Sequence, residues 1–141
     1  MPILNYTTSI APEKTALEIQ KKLVSAGAKA FMTNYDEDGI MVALTFQIKN
    51  LYFRLPINID GVYQTMQEDR KVPRGKKTYE QASRVAWRII KVWIDAQVAI
   101  IQAGQADLEQ VFLPYAQNQN GKTVYETIKE NGFKQITIQE K

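Results

Sequence analysis

Eight basic side chains stand within 22 residues of this sequence: Arg70, Lys71, Arg74, Lys76, Lys77, Arg84, Arg88 and Lys91, against Glu80 alone. That window carries a net +7, while the rest of the chain holds 10 basic and 14 acidic residues, a net −4. The overall +3 is therefore concentrated in one place, a field suited to an anionic partner. Lysine and arginine both contact phosphate, and arginine's rigid fork adds geometry. Arg84, Arg88 and Lys91 follow one another at i, i+4 and i+7, which places them on one face of a helix. The other five precede them on a connector containing Pro73 and Gly75, a segment expected to be mobile and able to fold against a phosphate backbone. Tyr79 and Trp87 are the aromatic candidates to stack a base beside these cations. A charge run is also an ordinary solvated face; the shortage of acids sets this one apart, because mixed signs are normal for solubility.

Other chemistry is poorly provided for. The chain has no cysteine and no histidine. Disulfides, thiolate nucleophiles and cysteine-ligated metals are excluded, and so are the commonest general base and the commonest metal ligand. Gly121-Lys122-Thr123 matches the end of a phosphate loop, but Ala116 stands where the first glycine of that pattern should be. Asp107 and Glu109, two apart, face away from each other on a helix. Glu13, Glu18, Asp60, Glu80 and Asp95 show no spacing that suggests a two-metal site. Asp36-Glu37-Asp38-Gly39 reads as a solvated hairpin turn and not as a cation site. The expectation is a non-enzymatic protein with no cofactor and no metal.

These residues need a scaffold, and 141 residues with 45% hydrophobic and 23% charged side chains suffice for a single domain over 1–141 with one core. The most apolar window, Val85 to Ile101, is interrupted by Arg88, Lys91 and Asp95, so no membrane span is expected. With no signal peptide or lipid anchor legible, the expected location is the cytoplasm.

The pattern predicts an α+β fold, a small antiparallel sheet in a β-α-β-β-β outline packed with one long helix from the C-terminal half and short flanking helices. Residues 3–10 read as a first strand and 12–26 as an amphipathic helix opened by Pro12 and closed by Gly27. Ala28 to Tyr35, Ile40 to Ile48 and Leu51 to Leu55 read as a meander, with Asp38-Gly39 in its first turn. A short helix capped by Asn58 or Asp60 precedes the charged connector 68–77. Thr78 with Gln81 forms a capping-box pattern that opens a helix running to about Leu113, with Gly104 as a bend or close contact within it. At 1.5 Å per residue such a helix is about 50 Å long. Its two apolar sets, Ala82, Val85, Ile89, Trp93, Ala96, Ile100 and Ala103, and Trp87, Ile90, Ile94, Ile101 and Leu108, call for two packing partners. One could be a second subunit, so a homo-oligomer is expected. Thr123 with Glu126 suggests another capping box, and Phe133, Ile136 and Ile138 a last strand.

The segments YTTSIAPEKTALEIQKKLVSAGAKAFMTNYDEDG, VALTFQI, FRLPINIDGVYQTM, QASRVAWRIIKVWIDAQVAIIQAGQADLEQVFLPYA and GKTVYETI together resemble a small protein family common in tailed-phage and prophage genomes. That family carries no settled activity, so the resemblance implies a setting, the host cytoplasm, and no catalytic residues. It is similar to accessory proteins made early by phages, among them recombination helpers and inhibitors of host defence. Three functions follow as expectations. The first is a nucleic-acid-associated accessory protein, DNA ahead of RNA. The second is an inhibitor of host defence that binds a host protein or captures an anionic signalling nucleotide. The third is an oligomeric scaffold using only the long helix's spare apolar face. The strand-and-helix outline is shared with double-stranded RNA-binding domains, but Pro56 and a small helix intervene here and the basic loop lies elsewhere; outline alone does not license function.

Overall fold

The structure is a computed structural model that describes residues 3–138. Three strands, β1 (Ala30–Tyr35), β2 (Met41–Ile48) and β3 (Leu51–Arg54), form an antiparallel sheet in that order. The helices are α1 (Pro12–Ser25), α2 (Ile59–Glu68), α3 (Tyr79–Gln102), α4 (Leu108–Phe112) and α5 (Val124–Glu130). Single turns of 3-10 helix lie at Arg74–Lys76 and Leu113–Tyr115. The α+β class, the meander and one long helix are as the sequence predicts.

The first hairpin turns on Asp36, whose carboxylate accepts the N–H groups of Asp38 and Ile40, both at 2.9 Å. Asn34 lies opposite Ala43 and Tyr35 opposite Met41, which leaves Val42 as the extra residue of a bulge. Leu44, Phe46 and Ile48 point to the helical side, where Phe46 stacks on Phe53 at 5.1 Å and meets Phe112 of α4 edge-on at 5.4 Å. Ile19 and Leu23 of α1 and Trp87, Ile94 and Val98 of α3 complete this cluster. A second cluster joins Ile59 and Met66 of α2, Val72 and Ala82, Val85 and Ala86 of α3. Thus α2 covers the N-terminal half of α3, while α1, the sheet and α4 cover the rest. The Trp87 set and the N-terminal part of the Ala82 set find partners within this one chain, while Ala96 and Ala103 are exposed and Ile100 joins neither cluster. The face from which an oligomer is expected is therefore covered toward the N-terminal end of α3 and open at Ala96 and Ala103.

Three expected elements differ. Residues 3–10 are not a strand. Asn5 takes a left-handed φ of 63°, Thr8 N–H closes a turn on its carbonyl, and Ile3 and Tyr6 pack on the second cluster as coil. The helix opened by Thr78 stops at Gln102, not Leu113. Gly104 at φ +76° lets its own N–H reach the Ile101 carbonyl and the Gln105 N–H reach that of Ile100, a complete C-terminal cap. At 24 residues α3 spans about 36 Å, short enough to be covered by a domain of this size. Residues 131–136 are turns and not a strand, because Gly132 and Phe133 both adopt positive φ and the Phe133 N–H folds back onto Ile128.

Gly104→Ala meets open space but an unfavourable φ, so it should destabilise by about 1 kcal/mol. Gly75→Ala, also in open space and without a positive φ, should be neutral or slightly stabilising. Urea unfolding midpoints of the two variants check this contrast.

Candidate anion-binding surface

The connector between α2 and α3 is a short strap held at both ends. Asp69 ends α2; one carboxylate oxygen accepts the Lys71 N–H at 2.9 Å and the other accepts the Ile3 N–H at 3.2 Å. Val72 is buried among the second cluster and anchors the middle. Pro73 then introduces the 3-10 turn Arg74–Lys76. At the far end, the Gln67 amide donates to the Lys77 carbonyl at 2.8 Å and Lys77 Nζ donates to the Gln67 carbonyl at 3.1 Å. Thr78 caps α3 by accepting the Gln81 N–H at 3.1 Å. The capping box itself is only half made. The Gln81 side chain instead donates to the carbonyls of Tyr6 and Thr8, each at 2.8 Å, and ties the N-terminal coil to α3.

The eight predicted cations separate into two groups. Arg84 pairs with Glu80 at 2.8 Å and also donates to the Gln81 side-chain carbonyl at 3.1 Å. Arg88 pairs with Glu18 of α1 and reaches the Thr15 hydroxyl at 3.3 Å; only 18% of its side chain is exposed. Lys91 pairs with Asp95 at 2.6 Å, and Lys22 of α1 stands 3.9 Å from the same carboxylate. The helix cations therefore knit α3 to α1 and to their own helix. Among the described residues, Arg70, Lys71, Arg74 and Lys76 have no carboxylate within 4.0 Å, and all four are exposed. Lys77 is half-buried and hydrogen-bonded as described.

Of the two stacking candidates, Trp87 is fully buried and donates its indole N–H to the Met41 carbonyl at 3.0 Å. It is a core residue and presents no face to a ligand. Tyr79 is half-buried, edge-on to Tyr63 at 5.5 Å, and its hydroxyl donates to Asp60 at 2.9 Å. Burial raises the Tyr79 pKa, and so do the hydrogen bond to Asp60 and the nearby charges of Asp60, Asp36 and Asp38. Those acids make its surroundings less basic than its place beside Lys76 and Lys77 suggests.

Sequence reasoning also missed side chains that converge from distant positions. Glu18, Lys21, Lys22, Ser25, Lys91 and Asp95 line an open groove of about 460 Å³ between α1 and α3. One Asp95 oxygen there is buried without a hydrogen bond, the Lys22 ammonium being too far for one. Arg54 pairs with Glu126, which also completes the capping box by accepting the Thr123 N–H at 2.9 Å. That backbone hydrogen bond, with Arg54 beside it, lowers the Glu126 pKa. No sequence spacing announces these pairs, because their members lie about 70 residues apart. Among the described residues no three acidic side chains are grouped to hold a metal ion, and no helix is long and apolar enough to cross a membrane. The chain matches no protein-family model, no curated protein and no solved structure.

Arg88→Met and Glu18→Gln, alone and together, should show a coupling of about 1 kcal/mol in unfolding free energy for this partly buried pair. A double-mutant cycle measures it. Glu126 has a lowered folded pKa, so its contribution is fully present above the unfolded carboxylate value of about 4.3 and is lost as pH falls through the folded value. Glu126→Gln should accordingly destabilise at pH 7 and converge with the parent in strong acid, as read from thermal unfolding across pH.

Proposed function

We propose that this chain is a binding protein without turnover whose strap, residues 70–77, holds the phosphate backbone of a nucleic acid. The observation that carries the reading is the set Arg70, Lys71, Arg74 and Lys76. These are four exposed cations within seven residues, none with a carboxylate partner among the described residues. A cation already in an ion pair must break it to meet phosphate, whereas these four need only shed water and counterions. Anchoring at Val72, Asp69 and Lys77 limits the freedom the strap loses on binding, which favours affinity. A track of exposed cations suits an extended polyanion better than an enclosed small ligand. The phage or prophage setting implied by the sequence resemblance belongs to the same proposal: an accessory protein acting on nucleic acid in the host cytoplasm. Capture of a signalling nucleotide, binding of a host protein and a purely structural role are the competing outcomes.

The test is affinity for a duplex, a single strand and short nucleotides across a salt series. With four phosphates neutralised, log affinity for duplex DNA should fall against log salt with a slope of about −3.6. Arg74→Glu with Lys76→Glu should abolish binding and leave the fold intact. Arg84→Gln should change affinity little, because that arginine is engaged with Glu80. Tight binding to a small nucleotide alone would assign the strap to ligand capture. Full affinity in the strap variant, or no binding to any of the three, would overturn the proposal.

A further inference from the structure

We propose that the outer edge of β1 is a dimerisation surface, paired antiparallel with β1 of a second copy of this chain about a two-fold axis at Thr33. The backbone fixes which groups that edge offers. Leu44 accepts the Leu55 N–H at 3.0 Å, so Leu44, Phe46 and Ile48 hydrogen-bond toward β3. Ala43, Thr45 and Gln47 alternate with them and face β1, as the Lys29 N–H on the Gln47 carbonyl at 2.9 Å shows. Their partners Asn34, Met32 and Ala30 therefore face β2. Phe31, Thr33 and Tyr35 are left with their N–H and C=O groups directed outward, and among the described residues no hydrogen bond from another element reaches them.

The opposite edge of the sheet is treated differently. Phe53 of β3 bridges to Ala116, and the Gln117 N–H donates to the Tyr52 carbonyl at 2.8 Å, so the segment after α4 covers that side. Native edges are usually blunted by charge, proline, a covering element or a bulge on the edge strand. Ala30–Tyr35 reads Ala-Phe-Met-Thr-Asn-Tyr, with no charge and no proline, and the bulge lies on β2. Neither residues 3–10 nor 133–136 supplies a strand to cover it.

Charge and parity then choose the occupant and the register. Lys29 stands at one end of β1 and Asp36-Glu37-Asp38 at the other, and among the described residues Lys29, Glu37 and Asp38 have no ion-pair partner. A second copy laid antiparallel brings each basic end to an acidic end; a parallel copy would set like against like. Opposed residues in an antiparallel pair either both direct their N–H and C=O at the partner strand or both direct them away, so Phe31, Thr33 and Tyr35 pair only among themselves. With the axis at Thr33, Phe31 meets the partner's Tyr35, an aromatic cross-strand pair formed twice, and Lys29, just before the strand, stands at the end that faces the partner's turn with Glu37. The alternative with Phe31 opposite the partner's Thr33 sets Lys29 against the partner's Tyr35 and forfeits both ion pairs. The result is a closed, isologous six-stranded sheet.

Sedimentation over a dilution series from about 100 μM, a range suited to a small interface, tests this on the full chain. The parent should dissociate from dimer to monomer on dilution. Thr33→Pro removes one outward N–H, which an edge strand tolerates in the monomer, and should give a monomer with unchanged far-ultraviolet circular dichroism. Lys29→Glu should raise the dissociation constant about tenfold by placing like charges together twice. Adding Glu37→Lys to it should restore the parent value, and this swap carries the test even where the proline variant folds poorly. A parent that is monomeric throughout, a folded Thr33→Pro that remains dimeric, or a charge swap that restores nothing would each overturn the proposal. A monomer that instead takes up an extended peptide along this edge would assign it to another protein's strand and overturn self-pairing.

Discussion

Helix α3 enters both hydrophobic clusters, and Trp87 is where it is fixed to the sheet. The ring is fully buried, and its indole N–H satisfies the Met41 carbonyl at 3.0 Å, beside the bulge that leaves Val42 unpaired. A buried indole without an acceptor is costly, and so is a carbonyl without a donor; here each answers the other. This contact sets the height and rotation of α3 over β2. Val85 and Ala82 are thereby presented to α2, and Ile94 and Val98 to the cluster that Phe112 closes. The placement of the other helices follows from that rotation.

With α3 so placed, its polar stripe does not look into open water along its whole length. It runs beside α1, and Arg88, Lys91 and Asp95 meet Glu18 and Lys22 across the gap. Partly exposed pairs of this kind contribute modestly to stability, but they hold the register of two helices that otherwise touch through small and aliphatic side chains. The consequence for function is a division of labour within one basic segment. Cations on the helix are occupied by neighbouring acids, and cations on the strap ahead of it are not. The strap owes its position to Val72, an apolar residue within a charged run, which sinks into the second cluster and turns the charged side chains outward.

The same geometry leaves the sheet asymmetric. One face is buried under helices, while on the other Met32 is 59% and Tyr52 50% exposed. One edge is covered by the segment following α4, and among the described residues nothing pairs with the other. The two proposed binding surfaces are thus separate parts of the molecule, the strap between α2 and α3 and the outer side of β1, and neither draws on the other's residues.

Local chemistry was legible in the sequence wherever its partners were near in the chain. Pro12 opens α1, Gly27 closes it, Asp36 to Gly39 make the turn, Asn58 and Thr78 cap their helices, and Thr123 with Glu126 forms a true capping box. Hydrophobic periodicity likewise gave the meander and the existence of α3. Periodicity cannot see a cap formed by a left-handed glycine, so α3 was read through Gly104. Nor can it tell apolar residues that pair in a sheet from those that pack as coil, as Ile3 and Tyr6 do, or stay exposed, as Ile136 and Ile138 do, so residues 3–10 and 133–138 read as strands. The site was legible as a charge count and not as a surface. Arg84 and Lys91 are engaged by acids four residues away on their own helix, but Arg88 is engaged only through Glu18 and the approach of α1, about 70 residues away in sequence, and Trp87 reads as a ligand-stacking ring because only the tertiary fold brings Met41 beneath it. Sequence fixes what each residue can do within a few turns of its own backbone; burial and ion pairing are properties of neighbours, and only the folded chain supplies those.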